Sequence, residues 1–349
     1  MSVSFRHAIG VDLSATNTTV IIANSMGEID SERKRETDKS SIEAPVKQVI
    51  EMAEECLDEF PVRPDIYGIG VSCIGPYDTE RGGILRTPNI DFDFVPVREP
   101  LRQAFPGRNF IRGGDCFGAV HAEAEYGLGQ GKENVVYVTM STGIGGGVIV
   151  DGKALVGMDG DAGHIGHFTV DSSPHARKCG CRSPNGKKRK GHWEAYGSGT
   201  AVAEITRSNT FGPGCVGFPG LPVESKRLVL STTHERLNRD AEIDEIMAED
   251  LYVAARKQMD YGPLRCLIDG INFYNTIGFA AVTDAYNPEI IIVGGSMMED
   301  DDLILHYVRE NLPNHAILTP PEIVKTNLGS RNVALGGIAM LSRYGGEKL

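Results

Sequence analysis

Two cysteines with the spacing of metal ligands lie in the middle of the chain, and several histidines lie near them in the sequence. Cys179 and Cys181 are separated by one residue, in a stretch from 161 to 199 that is rich in Gly, His, Cys, Lys and Pro and has little periodicity. Two thiolates and two imidazoles form a tetrahedral site that suits structural zinc closed to water. Reduced surface cysteines beside unrelated histidines are the alternative, and His175 is a rival ligand. We predict four zinc ligands: His167, Cys179, Cys181 and His192.

Two predicted hairpin turns consist mainly of glycine or hydroxyl-bearing residues. The first is DLSATNT at residues 12–18, and the second is STGIGGG at residues 141–147. Because small side chains let backbone N–H groups approach phosphate oxygens, two such turns facing each other would cradle a polyphosphate. The second turn lacks the Lys-Ser/Thr ending of a P-loop and precedes a strand, which argues against a Walker-type site. A simple glycine-rich β-turn is the alternative.

A carboxylate lies where a predicted strand meets a predicted helix. The segment FIRGGD ends at Asp115, and CFGAVHAEAEYG continues from it with a helical pattern. A carboxylate at this junction is expected at the rim of a cleft. Its alternative role is that of a helix N-cap, a position at which Asp is common.

Helical and strand patterns alternate along the chain and predict an α/β sheet. Apolar residues have helical spacing from 41 to 59, and a buried strand, IYGIGVSCIG, follows. The two hairpins have the same order of strand, turn and strand, which suggests a duplicated lobe. Residues 207–240 are turn-rich and look like an insertion, whereas LGGIAMLSRYG predicts a final helix.

Composition limits the function classes. The 349 residues suffice for two domains, since single cores stop growing at about 250 to 300 residues. The net charge of −12 argues against a nucleic-acid or anionic-membrane surface, and the basic run at 187–190 is expected to be a solvated loop. Seven cysteines without an export signal argue against a disulfide framework, and no apolar stretch reaches the ~20 residues of a membrane span. We expect a cytoplasmic protein.

These motifs together resemble a known superfamily. Residues 12–18 and 141–147 resemble the two phosphate turns of sugar kinases, Hsp70 and actin, and PEIIIVGG resembles their adenosine segment. Within that superfamily the sequence is similar to the ROK (repressor, open reading frame, kinase) family. The family's zinc signature matches Gly166-His167, Cys179-Gly180-Cys181 and Gly191-His192-Trp193-Glu194. The spacer RSPNGKKRK departs from it, with nine residues where the family usually has about three.

The resemblance covers residue 8 to about residue 343 and implies a two-lobed, actin-like (ribonuclease H-like) ATPase fold with mixed sheets flanked by helices. It implies a small N-terminal α/β lobe over residues 1–117 and a large C-terminal lobe over residues 118–349. The larger lobe would carry the zinc-bound loop at 161–199, and the final helix would pack on the first lobe. A homodimer or higher homo-oligomer is also expected.

The resemblance also implies individual roles in the ATP-dependent phosphorylation of a sugar 6-hydroxyl. Asp115 would take the hydroxyl proton as the γ-phosphoryl group arrives, and Asp12 would hold Mg²⁺. His167 would bind zinc through one ring nitrogen and face a sugar hydroxyl with the other. The sugar would contact Asn89, Gly114, Asp115, His164, His167 and Glu194. ATP would contact Asp12, Ser14, Thr16, Asn17, Thr142, Gly143, Gly145, Gly146, Gly294 and Gly295.

Three departures from the family pattern limit this transfer of roles. Gly114 stands where the family has Asn before the catalytic Asp, His164 stands where it has Glu, and Ser14-Ala15 replace two glycines. The absent Asn side chain makes room beside the sugar, and an imidazole can donate as well as accept a hydrogen bond. We therefore favour N-acetylmannosamine or a related 2-acetamido sugar, with glucose as the alternative.

A sugar-sensing repressor and an inactive sugar-binding protein are the rival classes. ROK repressors carry a DNA-binding helix-turn-helix ahead of the first phosphate turn. Here only about ten residues precede that turn, so a repressor is not expected. An inactive sugar-binding protein does not need Asp12, Asp115 and both phosphate turns. Because all of them are present, we expect an enzyme.

Overall fold

The computed structural model describes residues 3–87, 90–158, 160–182, 185–208, 223–257 and 262–346. The chain forms two compact units. Unit 1 consists of Met1–Tyr137, Gly147–Gly163 and Thr326–Leu349, and unit 2 consists of Val138–Gly146 and His164–Lys325. Both contain strands and helices, which confirms the α/β class. The lobe boundary after residue 117 stays a prediction.

Strands occur along most of the chain. In chain order they are β1 (Ala8–Leu13), β2 (Asn17–Ala23), β3 (Ile29–Glu36), β4 (Gly68–Cys73), β5 (Tyr77–Asp78), β6 (Gly83–Thr87), β7 (Ile90–Pro96), β8 (Asn109–Gly114), β9 (Val135–Met140), β10 (Ile144–Val150), β11 (Lys153–Ala154), β12 (Lys178–Arg182), β13 (Lys188–Lys190), β14 (Ile290–Gly294) and β15 (Glu322–Lys325). Both predicted hairpins are present, as β1 with β2 and as β9 followed by β10.

The α-helices are α1 (Ala44–Leu57), α2 (Arg98–Ala104), α3 (Asp115–Tyr126), α4 (Glu194–Gly197), α5 (Gly199–Ser208), α6 (Val223–Leu237), α7 (Ala248–Lys257), α8 (Pro263–Tyr286), α9 (Asp301–Asn311) and α10 (Asn332–Tyr344). Short 3-10 helices lie at Ile165–His167, Ile243–Glu245, Ser296–Asp300, Leu312–Asn314 and Gly329–Arg331. Among the described residues, none of the helices combines the length and the apolar character that crossing a membrane requires.

Unit 1 contains a five-stranded sheet in the order β3-β2-β1-β4-β8. Strand β1 pairs antiparallel with β2 and parallel with β4, and β4 pairs parallel with β8. Because side chains alternate along a strand, Val11 and Leu13 pack with α1 on one face, whereas Ala8 packs with α3 and α10 on the other. The carboxyl ends of β1, β4 and β8 therefore lie side by side at one edge of the sheet.

Glycines let α10 pack closely on this sheet. A Cβ at Gly70 of β4 would lie 2.0 Å from the carbonyl oxygen of Gly337, and a Cβ at Gly10 of β1 would lie 2.5 Å from that of Ala334. No side chain fits into such short gaps, so glycine at both strand positions allows the backbone of the helix to reach the strands. The C-terminal helix is thereby part of the core of unit 1.

Unit 2 is organised around α8 and the buried Trp193. The indole nitrogen of Trp193 donates to Asn275 Oδ1 at 2.9 Å, and the ring packs edge-on against Phe279. A Cβ at Gly278 would lie 2.2 Å from the indole, so this glycine makes room for the ring in α8. Since Trp193 lies between two predicted site residues, this packing fixes their place in the unit.

The prediction that residues 207–240 are turn-rich is wrong for their second half. Helix α6 covers Val223–Leu237 and buries Val229 and Thr233, whereas residues 209–222 lie outside the described residues. The helix is mostly polar, so its sequence shows no apolar stripe. Its partner is α7, where the buried Asp250 forms an ion pair with Arg236 at 3.0 Å.

Candidate functional site

Two carboxylates, Asp12 and Asp115, lie at the carboxyl edge of the unit 1 sheet. Asp12 is the second-last residue of β1, and Asp115 is the first residue of α3, directly after β8. The strand register aligns Leu13 with Cys73 and Cys73 with Gly114, so both carboxylates come from the same end of the sheet. They are close enough that the charge of Asp115 raises the pKa of Asp12.

The pKa of Asp12 is raised to about 7, mainly because the carboxyl group is buried. A hydrogen bond donated by Ser14 Oγ to Asp12 Oδ1 at 2.5 Å and the charge of Lys34 work in the opposite direction. A partly buried carboxylate beside a second carboxylate is unfavourable unless a cation neutralises the negative charge. Carboxylate oxygens suit a hard divalent cation such as Mg²⁺.

The first turn, between β1 and β2, is closed by residues near it in the chain. The backbone N–H of Ser14 donates to the Asn17 carbonyl oxygen at 3.3 Å. Thr37, directly after β3, donates its N–H to the Thr16 carbonyl at 3.0 Å and its hydroxyl to the Ser14 carbonyl at 2.7 Å. The side chains of Thr16 and Asn17 are exposed, so they can reach a ligand.

The second turn, between β9 and β10, is held by helix α5 of unit 2. The Gly199 N–H donates to the Ser141 carbonyl at 2.7 Å, and the Thr200 hydroxyl donates to the Thr142 carbonyl at 2.8 Å. Within the turn, the Ser141 N–H donates to the Gly143 carbonyl at 2.9 Å. These bonds fix the turn that carries the predicted nucleotide contacts Thr142, Gly143, Gly145 and Gly146.

The predicted adenosine segment meets this turn in unit 2. Strand β14 ends at Gly294, and Gly295 has φ of +99°, a conformation that favours glycine. A Cβ at Gly295 would lie 2.3 Å from the carbonyl oxygen of Met140, the last residue of β9. The hydroxyl oxygens of Ser141 and Ser296 are 3.2 Å apart. The two glycine-rich segments are therefore neighbours.

The four predicted zinc ligands come together in unit 2. Their ligand atoms all lie within 4.8 Å of one another. Cys179 Sγ is 3.9 Å from His167 Nδ1, and Cys181 Sγ is 3.2 Å from His192 Nδ1. Ordinary zinc bond lengths in a tetrahedron would separate sulfur and nitrogen by about 3.6 Å, which lies between these two distances. His175 is exposed and does not belong to the cluster.

The protonation of the cluster also suits a metal. Burial lowers the pKa of His167 and His192, which favours the neutral imidazole that metals bind. Burial raises the pKa of Cys179 to about 12, so this thiol remains protonated unless a cation compensates the thiolate charge. The donor set therefore fits a zinc ion, which would supply that compensation.

Glu194 connects this cluster with the second turn. Its Oε2 accepts the Ile144 N–H at 3.0 Å, and its Oε1 lies 3.8 Å from Cys179 Sγ. A Cβ at Gly143 would lie 2.6 Å from Oε2, so glycine at this position makes room for the carboxylate. Glu194 was predicted to contact the sugar, and its structural link to the turn has no signal in the sequence.

The other predicted sugar contacts are found in different parts of the chain. In unit 1, a Cβ at Gly114 would have the Cβ of Phe117 as its nearest described neighbour, at 3.9 Å, so the space beside Gly114 is open. In unit 2, His164 is exposed, and its ring stacks on that of His167 with centroids 5.8 Å apart. Asn89 lies outside the described residues.

Sequence reasoning missed three residues near these groups. Thr200 and Ser296 support the second turn, and nothing in their local sequence indicates it. Arg112 lies in β8, three residues before Asp115. Its signal was available, because arginine is seldom buried and here it lies within a predicted strand of the sheet.

Comparison with known proteins identifies the family. The ROK family model matches residues 8–343. The chain belongs to the ROK family. The glucokinase of Pyrobaculum calidifontis is 28% identical to it, over 95% of this chain and 94% of that protein, and the xylose repressor of Bacillus subtilis is 24% identical, over 95% and 75%. A ROK family glucokinase from Streptomyces griseus, solved in complex with glucose and AMPPNP, aligns with a TM-score of 0.72 at 24% identity, covering 96% of this chain and 99% of that one. This likeness confirms the α/β fold with mixed sheets and helices that was predicted for the chain.

Proposed function

We propose that this ROK protein transfers the γ-phosphoryl group of ATP to the 6-hydroxyl of a hexose or a 2-acetamidohexose. The observation that carries the proposal is the pair of carboxylates at the edge of the unit 1 sheet, where the charge of Asp115 shifts the pKa of Asp12. Two carboxylates can divide the tasks of phosphoryl transfer, one beside a metal ion and the other beside the attacking hydroxyl.

Asp115 is the proposed general base. As O6 of the sugar bonds to the γ-phosphorus, the hydroxyl proton passes to Asp115, and the bond from phosphorus to the bridging oxygen breaks to release ADP. The Cys116 N–H donates to Asp115 Oδ1 at 2.7 Å, and the N-terminal end of α3 favours the ionised carboxylate. Asp12 would hold Mg²⁺, which supplies charge neutralisation at the phosphates when bound.

The nucleotide would be held by backbone and hydroxyl groups of the glycine-rich and hydroxyl-rich turns. Small residues allow the main chain to approach phosphate oxygens and the nucleoside. The likeness to a glucokinase solved with AMPPNP supports an adenine nucleotide. The proposed contacts are Asp12, Ser14, Thr16, Asn17, Thr142, Gly143, Gly145, Gly146, Gly294 and Gly295.

We also propose a structural zinc ion on His167, Cys179, Cys181 and His192. Their mutual distances and the neutral state of the imidazoles support it. The ion would fix the ring of His167 and, through His192, the position of Glu194 two residues later, whose carboxylate accepts the Ile144 N–H at the start of β10. His167 and Glu194 are the sugar contacts that depend on this support.

The proposed sugar is N-acetylmannosamine or a related 2-acetamido sugar, with glucose as the alternative. The open space at Gly114 favours a substituent at carbon 2, and His164 supplies a donor where the family has a carboxylate. The similarity to the glucokinase of Pyrobaculum calidifontis supports glucose as the substrate. Both sugars carry the 6-hydroxyl that the mechanism requires.

A sugar-sensing function without catalysis is the second candidate. The similarity to the xylose repressor of Bacillus subtilis favours it. A sensor requires only the sugar site. It does not require a general base and a metal-binding carboxylate at the same edge of the unit 1 sheet. The retention of Asp12 beside Asp115 therefore favours the enzyme.

A coupled assay of ADP release tests the proposal. The purified chain is incubated with ATP and Mg²⁺ together with glucose, mannose, fructose, glucosamine or the N-acetylhexosamines, and each reaction is repeated without sugar. Sugar-dependent ADP release with at least one of them is the expected result. Sugars that stabilise the protein against heat without causing ADP release would establish a sensor instead.

A further inference from the structure

The guanidinium of Arg112 carries hydrogen-bond donors that the protein does not use. Its Nε and Nη2 atoms are buried and have no hydrogen-bond partner in the described part of the chain. A buried donor without a partner is costly, and a charged one more so. Such groups are rare in native proteins, so each one calls for an explanation.

The ring of Tyr77 limits the directions from which a ligand can reach the guanidinium of Arg112. The guanidinium carbon lies 4.0 Å from the centroid of the Tyr77 ring, so one face of the cation is covered. The hydroxyl of Tyr77 is also buried and without a partner among the described residues. The thiol of Cys73 is a hydrogen-bond partner of the Arg112 guanidinium, but burial raises the pKa of this thiol, and a neutral thiol is only a weak acceptor.

The two unused nitrogens form one edge of the guanidinium. Nε–H and the nearer Nη2–H point in the same direction, and this pair of parallel donors matches two acceptors or one oxygen-rich planar group. Arginine has no acceptor, so only acceptor oxygens can satisfy it. A carboxylate or the carbonyl of an acylamino group has the required oxygens.

The position of Arg112 relates this edge to the proposed reaction. Arg112 and Gly114 are two residues apart in β8, so they belong to the same face of the strand. The space beside Gly114 is open, and Asp115 follows directly. Tyr77 lies in β5, which pairs with β6 in the small sheet β5-β6-β7. The donors of Arg112 thus lie between β8, which ends just before the proposed base Asp115, and the small sheet that contains Tyr77.

We infer that Arg112 and Tyr77 form a subsite for a carbonyl or carboxylate oxygen on the sugar, with the substituent occupying the space beside Gly114. The inference rests on the proposed kinase function and narrows its substrate to sugars that carry an acylamino or carboxylate group. A sugar hydroxyl oxygen also accepts a hydrogen bond, but a carboxylate or carbonyl oxygen is the stronger acceptor for a charged donor, so the subsite favours the substituted sugar.

The test compares Arg112→Lys with the wild type on N-acetylmannosamine, gluconate and glucose. Lysine keeps the charge but loses the paired donors. We expect the ratio of kcat/KM for the substituted sugar to that for glucose to fall about 30-fold. A preference for N-acetylmannosamine in the wild type identifies a carbonyl subsite, and one for gluconate identifies a carboxylate subsite. Arg108→Gln, at an exposed arginine that precedes β8 and pairs with Asp65, is the matched control and should leave the ratio unchanged.

The outcomes separate this inference from the proposed function. Equal effects of Arg112→Lys on all three sugars, or no effect, overturn the subsite while the kinase function stands. If no sugar is phosphorylated, the kinase function fails, and thermal stabilisation by the same sugars still tests the subsite. The subsite is supported if a substituted sugar raises the melting temperature of the wild type but not that of Arg112→Lys. It is refuted if the sugar stabilises both proteins equally, or stabilises neither.

Discussion

The two turns that we propose to bind phosphate in this ROK protein are stabilised in different ways. The first, in unit 1, is closed by Thr37, which directly follows β3, and has the partly buried Asp12 beside it. The second, in unit 2, is neutral and is held by Glu194 and Thr200, which come some 50 residues later in the chain. The comparison indicates that the turn of unit 1 lies beside a charged group and that the turn of unit 2 has a backbone supported by distant residues. Changes at the carboxylates of unit 1 should therefore affect kcat, and changes at the second turn and its supports in unit 2 should affect ligand affinity and melting temperature.

The largest effect is expected for Asp115→Asn in unit 1. The amide keeps the shape of the carboxylate but cannot accept the proton, so kcat should fall at least about 100-fold while the sugar Kd changes by no more than a few-fold. The ADP-release assay and sugar titration measure the two quantities. Asp65→Asn, at an exposed carboxylate of the same unit, should behave as the wild type. A variant that keeps more than about 1% of the wild-type turnover would remove Asp115 from the mechanism.

A smaller but broader effect is expected for Cys179→Ser in unit 2. Loss of a thiolate ligand weakens the metal site, so the zinc content should drop from about one per chain, the melting temperature should fall, and sugar binding should weaken about tenfold. Metal analysis, thermal melting and sugar titration measure these changes.

Cys266→Ser provides the matched control, because Cys266 is an exposed cysteine in α8 of the same unit. The zinc prediction is wrong if wild-type protein purified without chelator contains no zinc, or if both serine variants melt at the same temperature as the wild type.

The smallest effect is expected for Gly143→Ala in the second turn. The added Cβ would lie 2.6 Å from Glu194 Oε2, so the carboxylate must move and weaken its hydrogen bond to the Ile144 N–H. Because a side chain can yield more easily than backbone, we expect the KM for ATP to rise about fivefold, with kcat within about twofold of the wild type.

Gly180→Ala is the control for this change, since its Cβ would have no described neighbour within 4 Å. Steady-state kinetics with varied ATP measure the difference. An unchanged KM for ATP in Gly143→Ala would mean that the position of the second turn does not depend on Glu194.

Local patterns allowed much of the fold to be predicted. The hairpin turns, the strand that ends at Gly294 and the final helix were all visible as short apolar runs bounded by glycine or polar residues. The same reasoning failed for α6, because a polar helix that packs on one neighbour through a few residues shows little periodicity. The close packing of α10 on the sheet depends on glycines from separate elements, which no local pattern connects.

The candidate site was predictable where ligands lie close together in the chain. The spacing of Cys179 and Cys181 predicted the cluster that the structure brings together with His167 and His192. The support from Glu194 to the second turn was not predictable, because it joins two elements through one hydrogen bond to the backbone. The unused donors of Arg112 are a property of its surroundings and become apparent only in the folded chain.

Identification of the reaction product tests the kinase function most directly. The protein would be incubated with ATP, Mg²⁺ and either N-acetylmannosamine or glucose, and the mixture followed by phosphorus NMR. The account predicts a new phosphomonoester whose phosphorus couples to the protons on carbon 6, formed together with an equal amount of ADP, and no product from the 6-deoxy sugar. Unchanged ATP in the presence of a sugar that binds, or a phosphoester on another carbon, would contradict it.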